Sequence, residues 1–377
     1  MTLMSIPLTP DFPYDINGST AVAMNLKHYS TRTWIISNPA IFYRILRGFF
    51  RGLVLKKNTL RTLHILPTFN CQAACQMCSV AKFKQGKQMP LNLTEYESLA
   101  KQASKMGAIA ATFVGGEPLL VKNLDEIMGT FKSHHFYISI VTNGIALTRD
   151  YVRRLSSSGL KAVFFGLESL DEKINDELRG YEGQCRKVLE NIEICKEEGL
   201  LVGLCTVLFP EHEERYVKLA EFCQQKGLSM ALPSLAGVGA AEDAVAASLQ
   251  EYEQILGLLK KFPHLSVDWE FSYFLKPRCP SGKEKLAITC YGDVLGCTLN
   301  HISFGNIRKE PLKTIWQRAG HFSQFKKNSD RCLAAFDEVH ITRFLRPLVQ
   351  FNESPVCYAD HPNITPEKEP ELFSRKY

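Results

Sequence analysis

The 377-residue sequence lacks long apolar runs, low-complexity tracts and repeats of solenoid period. No stretch reaches the roughly 18 apolar residues that a membrane-spanning helix needs. No basic segment followed by an apolar one opens the chain, so no secretory signal is expected. Apolar residues make up 45% of the chain and charged residues 22%, which is ordinary for a globular protein with a large core. The sequence therefore predicts a cytoplasmic protein.

The body of the chain also lacks a basic stripe. Residues 1–62 hold eight basic and two acidic side chains, so this segment carries the whole net charge of +6. Basic and acidic residues balance in the remainder. A nucleic-acid-binding protein would concentrate lysine and arginine on its body, and no nucleic-acid partner is therefore expected.

Cysteine, by contrast, is plentiful, with twelve residues. In a reducing compartment, clustered cysteines indicate metal ligands rather than a disulfide framework. Cys71, Cys75 and Cys78 have C-x3-C-x2-C spacing directly after a strand-like run, residues 63–68. A loop this tight can place three thiolates around a cubane iron–sulfur cluster and leave one iron without a protein ligand. A zinc knuckle or three unrelated thiols are the alternatives, and zinc is disfavoured because no Cys or His follows within fifteen residues of Cys78.

Strand-like and helix-like segments alternate after this loop. The expected strands are residues 63–68, 109–114, 137–141, 161–165, 201–209 and 229–232. The expected helices are residues 94–106, 124–132, 149–156, 183–198 and 211–226. Alternation with short links predicts an α/β fold with parallel strands, here a partial (β/α)6 barrel. Sites in such barrels gather at the carboxyl ends of the strands, where the cysteine loop, Gly115-Gly116, Thr142-Asn143 and Glu168-Ser169 all fall.

An amphipathic helix is expected before the first strand. Asn38-Pro39 is a typical helix start, and residues 41–55 have an apolar face opposite Arg44, Arg47 and Arg51. Residues 38–57 therefore suggest peripheral contact with an anionic membrane surface, or a grip on a lipid-like substrate. The alternative is a leader helix that packs against the barrel with its arginines in water.

The C-x3-C-x2-C loop at the end of the first strand resembles the signature of the radical S-adenosylmethionine (radical SAM) superfamily. The resemblance implies a [4Fe-4S] cluster on Cys71, Cys75 and Cys78, with SAM chelating the fourth iron. It also implies reductive cleavage of SAM to a 5′-deoxyadenosyl radical, which abstracts hydrogen from a substrate. A reducing electron donor, such as a flavodoxin or ferredoxin, would be a partner.

Further motifs extend this resemblance to a SAM pocket. Gly115-Gly116-Glu117-Pro118 resembles the family motif that holds the SAM amino group, with Glu117 either completing that contact or anchoring the loop. Asn143 belongs to a segment that resembles the family's Thr-Asn-Gly motif. The resemblance implies a ribose contact from Glu168 and Ser169 and a carboxylate contact from Arg179.

The C-terminal part resembles the SPASM/Twitch extension of radical SAM enzymes, through Gly292-x4-Cys297 and Phe304-Gly305-Asn306. That resemblance implies a second, auxiliary [4Fe-4S] cluster that accepts an electron from the substrate or relays electrons. Its expected ligands are Cys279, Cys297, Cys332 and Cys357, with Cys290 as a spare or substitute. A degenerate domain with structural thiols is the alternative.

The expected division of the chain follows from these motifs. It consists of a basic amphipathic leader, a radical SAM barrel core, a linker helix, an auxiliary-cluster domain and a tail: 1–62, 63–240, 241–278, 279–360 and 361–377. The expected function is that of a radical SAM oxidoreductase acting on a small molecule or a peptide. Modification of a lipid or polyprenoid at the membrane surface, with a membrane-peripheral location, is one alternative. A non-catalytic iron–sulfur scaffold is the other.

Overall fold

The described residues of the computed structural model are 38–83, 89–208, 213–243, 247–351 and 354–374. Positions 1–37 of the predicted leader and 375–377 of the predicted tail lie outside them. The described residues form one sheet of eleven strands: β1 Thr62–Leu66, β2 Ala110–Phe113, β3 Tyr137–Thr142, β4 Leu160–Gly166, β5 Leu201–Cys205, β6 Ser229–Ala231, β7 Leu265–Ser266, β8 Lys285–Thr289, β9 Asp293–Leu295, β10 Ile302–Asn306 and β11 Val356–Cys357.

The strand order is β11-β10-β9-β8-β1-β2-β3-β4-β5-β6-β7. All strands from β8 to β7 in that order run parallel, whereas β9 is antiparallel to both β8 and β10. The six predicted strands correspond to β1–β6 in sequence and in order. The predicted α/β class with a parallel sheet is therefore confirmed.

The sheet is wider than expected because β7 and β8 extend it on either side. β8 pairs with β1 from Thr62↔Lys285 to Leu66↔Thr289, and every residue of β8 is buried. A five-residue run that is buried on both faces shows no polar alternation, so periodicity does not identify it as a strand. As a result, a strand from the predicted auxiliary-cluster segment pairs directly with the first strand of the predicted core.

Helices connect the parallel strands and continue into the C-terminal part. Asn92 and Glu95 form a capping box at the start of the helix Leu93–Met106, and Ser248 and Glu251 form another at the start of the helix Leu249–Lys261. The helices are α1 Pro39–Phe49, α2 Leu93–Met106, α3 Leu124–Ser133, α4 Arg149–Ser157, α5 Glu172–Arg179, α6 Gln184–Glu197, α7 Glu213–Lys226, α8 Leu249–Lys261, α9 Leu312–His321, α10 Ser323–Lys326, α11 Leu333–Phe336 and α12 Glu338–His340. Short π and 3-10 turns occupy Phe50–Val54, Pro118–Leu120, Gly239–Ala241, Ile341–Leu345, Arg346–Gln350, Tyr358–Asp360 and Pro370–Phe373.

One hydrophobic core joins the N- and C-terminal parts of the described chain. It contains Leu63 of β1 and Phe113 of β2, and it continues to Phe304 of β10 and Phe325 of α10. Burying each such side chain stabilises the fold by about 1.5–3 kcal/mol. Phe113 and Phe131 meet edge-to-face, with ring centroids 5.6 Å apart. The shared core, like the shared sheet, fixes the auxiliary segment against the barrel strands.

Helix α1 packs at the amino-terminal ends of the strands. A Cβ at Gly48 would lie 2.4 Å from the Tyr273 ring, so glycine allows a close approach there. The Arg44 guanidinium donates to the carbonyls of Ala108 and His134, at 3.1 and 2.9 Å, just before β2 and β3. The expectation that the arginines lie in water is therefore wrong. Backbone carbonyls just before β2 and β3 accept hydrogen bonds from Arg44, and the apolar face of α1 therefore points away from the sheet.

Candidate functional site: a cysteine loop at the carboxyl edge of the sheet

The cysteine loop, residues 67–83, follows the carboxyl end of β1. The thiols of Cys71, Cys75 and Cys78 lie close together, because Cys75 acts electrostatically on both Cys71 and Cys78. Burial raises the pKa of Cys78 to about 11 and also raises that of Cys71. A thiol with a raised pKa stays protonated until a metal ion displaces its proton. Metal binding by this loop should therefore release protons.

Residues from the end of α5 support the loop from one side. The amide of Gln76 donates to the carbonyl of Leu178 at 3.0 Å. Gly180 has a φ of 60°, and a Cβ there would lie 2.6 Å from the carbonyl oxygen of Ala74. Only glycine combines this backbone conformation with so close an approach. The loop and the end of α5 are thus fitted to each other.

The predicted Gly115-Gly116 turn follows β2 and lies directly against the cysteine loop. The amide of Gly116 donates to the carbonyl of Thr68 at 3.0 Å. A Cβ at Gly116 would lie 2.3 Å from the carbonyl oxygen of Asn70. Gly115 has a φ of 118°, a conformation that L side chains rarely adopt. The two glycines therefore bring this backbone within reach of anything that the cysteine loop holds.

Glu117 is 1% exposed, and donors saturate its carboxylate. Oε1 accepts from the amide of Leu119 at 3.0 Å and from the hydroxyl of Thr142 at 2.7 Å, while Oε2 accepts from the amide of Asn143 at 2.8 Å. Burial raises the pKa of Glu117, and these three donors oppose the shift. Of the two roles expected for Glu117, this geometry supports the anchoring role. The buried Pro118 starts the turn that Glu117 caps.

Asn143 and Ser169 occupy the ends of neighbouring strands. The side-chain amide of Asn143 donates to Sγ of Cys71 at 3.6 Å, and its Oδ1 accepts from the amide of Ile145 at 2.9 Å. Hydrogen bonds to cluster sulfurs are one way in which a protein tunes a reduction potential. The Ser169 hydroxyl accepts from the amide of Asp171 at 3.0 Å and shapes the start of α5. Contacts of both residues with SAM remain predictions.

Arg179 lies between Glu168 and the cysteine loop. Its Nη2 is 2.6 Å from Oε1 of Glu168, and its Nη1 is 3.8 Å from Sγ of Cys75. Oε2 of Glu168 accepts from the amide of Val207 at 2.9 Å. Burial raises the pKa of Glu168, and the Arg179 guanidinium opposes this shift. A Cβ at Gly166 would lie 2.3 Å from Nη2 of Arg179, so glycine makes room for the guanidinium.

Two buried amides that sequence reasoning missed hold this edge of the sheet together. Nε2 of Gln184 donates to the carbonyls of Asn143 and Gly166, at 2.8 and 2.9 Å. Nδ2 of Asn191 donates to the carbonyl of Gly144 at 2.8 Å. Both side chains are 0% exposed. Two amides seven residues apart on the apolar face of one helix are the signal that indicates such a role.

The donors of the cysteine loop fit an iron–sulfur cluster. No three His, Cys, Asp or Glu side chains in the described ranges are arranged to bind a single metal ion. Three separate thiols suit a cluster instead, because each thiolate of a cubane binds a different iron. The Arg179 cation and the Asn143 amide beside these thiols suit the net negative charge of such a cluster. These residues therefore fit the cofactor that the sequence motif implies.

A second group of cysteines lies in the C-terminal part. Cys279 and Cys297 both raise the pKa of Cys332 electrostatically, and Cys279 does the same to Cys297. Cys357 is exposed on the edge strand β11, opposite Ser303. The structure thus brings together three of the four predicted auxiliary ligands. The spare Cys290 is buried after β8, where it raises the pKa of Tyr96 in α2.

An ion pair that sequence reasoning also missed lies near Cys205 and near the second cysteine group. Lys285 Nζ is 2.8 Å from Oδ2 of Asp268, whose side chain is 58% exposed. Burial raises the pKa of Asp268, but Lys285 and the other positive charges nearby together outweigh burial and lower the pKa to about 2. Asp268 raises the pKa of Cys205, near Arg179, and also that of Cys332.

Two family models match separate parts of the chain. Residues 65–223 match the family model of the radical SAM superfamily, and residues 279–334 match that of an iron–sulfur cluster-binding domain, SPASM. The first match includes all three cysteines of the loop. The second includes Cys279, Cys297 and Cys332 but ends before Cys357.

Similar proteins include two PqqA peptide cyclases. The one from Xanthomonas euvesicatoria pv. vesicatoria is 26% identical over 279 residues, and that from Methylocella silvestris 25% over 279 residues. Each match covers 69% of this chain and 74% of the relative.

Solved structures share the fold at lower identity. Streptococcus suis SuiB bound to precursor peptide SuiA has a TM-score of 0.57 and 19% identity, over 69% of this chain and 65% of SuiB. The chain thus spans slightly less than two thirds of SuiB. Native anSMEcpe with bound AdoMet has a TM-score of 0.54 and 14% identity, over 83% of this chain and 95% of that one.

These matches include both cysteine groups described above. The family's cofactors are SAM and a [4Fe-4S] cluster, with auxiliary iron–sulfur clusters in the SPASM domain. Residues 65–223 are therefore a radical SAM domain and residues 279–334 a SPASM domain, and the protein is an enzyme.

Proposed function

We propose that this enzyme modifies a peptide by radical chemistry in a chamber beside the Asp268–Lys285 pair. The observation that supports the proposal is the proximity of Asp268 both to Cys205, beside Arg179, and to Cys332 of the second cysteine group. When bound to the reduced cluster, SAM supplies a 5′-deoxyadenosyl radical that abstracts hydrogen from a carbon of the substrate. A substrate in the chamber would lie between the source of the radical and an electron acceptor.

Each residue of the site has a defined task in this proposal. Cys71, Cys75 and Cys78 hold the cluster, and the carbonyls of the Gly115-Gly116 turn accept from the SAM ammonium group. The Nε of Arg179 is buried without a partner among the described residues, which leaves a donor for the SAM carboxylate. The amides of Gln184 and Asn191 keep the strand ends in place, so that the site is rigid before SAM binds.

A peptide is the substrate class that the observations favour. The curated relatives are named PqqA peptide cyclase, and SuiB was solved with a precursor peptide. The exposed Asp268 carboxylate, which the buried Lys285 holds in place, offers a hydrogen-bond acceptor to the amide groups of a peptide. A lipid substrate has less support, because the apolar face of α1 lies at the opposite end of the strands from the cysteine loop.

The second cysteine group completes the proposed reaction. Cys279, Cys297 and Cys332 would hold an auxiliary cluster that accepts an electron from the substrate radical, which makes the net reaction a two-electron oxidation. The fourth predicted ligand, Cys357, would have to reach this group from the exposed edge strand. Electrons for SAM cleavage would come from a flavodoxin or ferredoxin.

The first experiment measures iron, sulfide and electron paramagnetic resonance in the anaerobically reconstituted protein, with and without SAM. The matched variant is Cys71→Ala/Cys75→Ala/Cys78→Ala. We expect about eight irons in the wild type and about four in the variant, with a signal that responds to SAM only in the wild type. About four irons in the wild type, or a signal indifferent to SAM, would contradict the proposal.

The second experiment tests the substrate class. Candidate peptides with deuterated carbons are incubated with the reconstituted enzyme, SAM and a chemical reductant. Deuterium in the 5′-deoxyadenosine, together with a mass change of the peptide, is the expected result. Deuterium transfer from small alcohols but from none of the peptides would exclude the peptide assignment and keep the radical chemistry.

A further inference from the structure

The described chain exposes an unusual apolar surface on α1 and the turn that follows it. Large apolar side chains that are each at least 38% exposed occur at Phe42, Tyr43, Leu46, Phe50, Leu53, Val54 and Leu55. At 100° per residue, Phe42, Tyr43 and Leu46 fall within one third of the circumference of α1, and the other four residues lie on the turn that follows and directly after it. Scattered single apolar residues are common on protein surfaces, but a continuous patch indicates an interaction site. This set of seven residues is called the apolar patch below.

The packing of α1 fixes the apolar patch in its outward orientation. On the inner side, a Cβ at Gly52 would lie 2.4 Å from the carbonyl oxygen of Tyr273. On the flank, Arg47 donates to the carbonyl of Lys105 at 3.2 Å, and the Nε of Arg51 donates to the hydroxyl of Thr59 at 3.0 Å. A rotation that buried the apolar residues would break these bonds and move side chains into the Gly52 contact.

The segment that carries the apolar patch is basic. The sequence has no Asp or Glu from residue 38 to residue 94, whereas Lys56 and Lys57 are exposed directly after the patch. Two acids from other segments at this end of the sheet are paired: Glu284 lies 3.3 Å from Arg61, and the more exposed Glu97 lies 2.6 Å from His134. An exposed apolar face on a segment that has cations and no acids is complementary to an anionic lipid surface.

We propose that the apolar patch docks the enzyme onto the surface of an anionic bilayer, with Phe42, Leu46 and Phe50 inserted among the lipid headgroups and acyl chains. No helix of the described residues is long and apolar enough to cross a membrane, so the helix would lie in the plane of the interface. Because the cysteine loop is at the opposite end of the strands, the mouth of the reaction chamber would face away from the lipid. The inference is independent of the proposed substrate.

The test is co-sedimentation of the full-length chain with phosphatidylcholine vesicles, with and without phosphatidylglycerol. We expect binding to the anionic vesicles that weakens as salt rises. The variant Phe42→Ser/Leu46→Ser/Phe50→Ser should bind at least about tenfold more weakly, since it loses the three apolar side chains that would insert into the bilayer. The control, Val339→Ser/Val349→Ser, removes exposed apolar side chains elsewhere and should bind like the wild type.

Two further readouts separate the membrane from other occupants. The chain has three native tryptophans, so the emission of the wild type is subtracted from that of a Phe50→Trp variant. The difference spectrum should be that of an exposed indole in buffer and should shift to the blue with anionic vesicles. A blue emission in buffer that vesicles leave unchanged would overturn the proposal, because another part of the chain or a second copy would then cover the patch. Equal sedimentation of the wild type and the triple serine variant would also overturn it. A dimer that the triple variant converts to a monomer, without vesicle binding by the wild type, would assign the patch to a second copy.

Discussion

Arg179 and Glu168 form a buried ion pair, with 2.6 Å between Nη2 and Oε1, and the same guanidinium reaches Sγ of Cys75 at 3.8 Å. The pair connects the end of β4 to the cysteine loop, which comes from the end of β1. Its carboxylate is 1% exposed. A buried carboxylate without its cation is far costlier than the intact pair, so the two side chains depend on each other.

Removing Arg179 should therefore destabilise the protein strongly. Arg179→Met leaves the Glu168 carboxylate buried with the amide of Val207 as a donor, and we expect a loss of about 3–5 kcal/mol. Adding Glu168→Gln removes the buried carboxylate that lacks a cation, so the double variant Arg179→Met/Glu168→Gln should be more stable than Arg179→Met alone. Urea unfolding of the cluster-free protein measures both. Strictly additive losses would mean that the two residues are not coupled.

The close contact between Gly116 and the cysteine loop predicts that Gly116→Ala impairs cluster binding. A Cβ at 2.3 Å from the carbonyl oxygen of Asn70 must displace one of the two loops. We expect about four irons fewer per chain after reconstitution. The matched control is Gly129→Ala in α3, where an added Cβ meets nothing within 4 Å. The control should keep its iron and gain about 0.5–1 kcal/mol, since alanine is the better helix former.

Much of this site follows from local sequence patterns. The strands β1–β6 have clear apolar runs, and Cys71, Cys75 and Cys78 lie within eight residues of one another, so both features are encoded locally. The placement of the cysteine loop at the carboxyl edge follows from the parallel topology. Each of these predictions depends only on the sequence of a single segment and not on which distant segments that segment contacts.

Features that depend on distant segments could not be predicted. The Asp268–Lys285 pair forms because β8 lies beside β1, and β8 has no alternating pattern that would mark it as a strand. For α1, the sequence indicates an apolar and a basic face but not which of them meets the protein. That choice depends on carbonyls of Ala108 and His134, far away in sequence, which accept the hydrogen bonds of Arg44.

The arrangement of the C-terminal cysteines predicts which of them matter for auxiliary iron. Cys332→Ala removes a thiol that lies with Cys279 and Cys297 and should cost about four irons per chain. Cys357→Ala, on the exposed edge strand, should keep the full iron content. Iron and sulfide analysis of both variants measures the difference. If Cys357→Ala loses the same irons as Cys332→Ala, then Cys357 reaches the cluster as the fourth ligand.

Acid sensitivity is expected from His340, which is 1% exposed and packs against the Phe322 and Phe344 rings. Burial lowers its pKa from 6.5 to about 4. Between these two values, the unfolded chain binds a proton that the folded chain does not, so stability falls as the pH drops through this window. For this one group, the loss between about pH 7 and about pH 5 is roughly 2 kcal/mol.

Replacing His340 with phenylalanine isolates this contribution, because the ring is retained and the titrating group is lost. Urea unfolding of the cluster-free wild type and of His340→Phe, each at both pH values, gives two differences in the free energy of unfolding. The wild type should lose about 2 kcal/mol more than the variant on acidification. Other groups titrate in both proteins, so their effects cancel in the comparison. Equal losses in the two proteins would show that His340 accepts a proton in the folded state as readily as in the unfolded one, and the packing of the aromatic rings around it would then have to be looser than the structure describes.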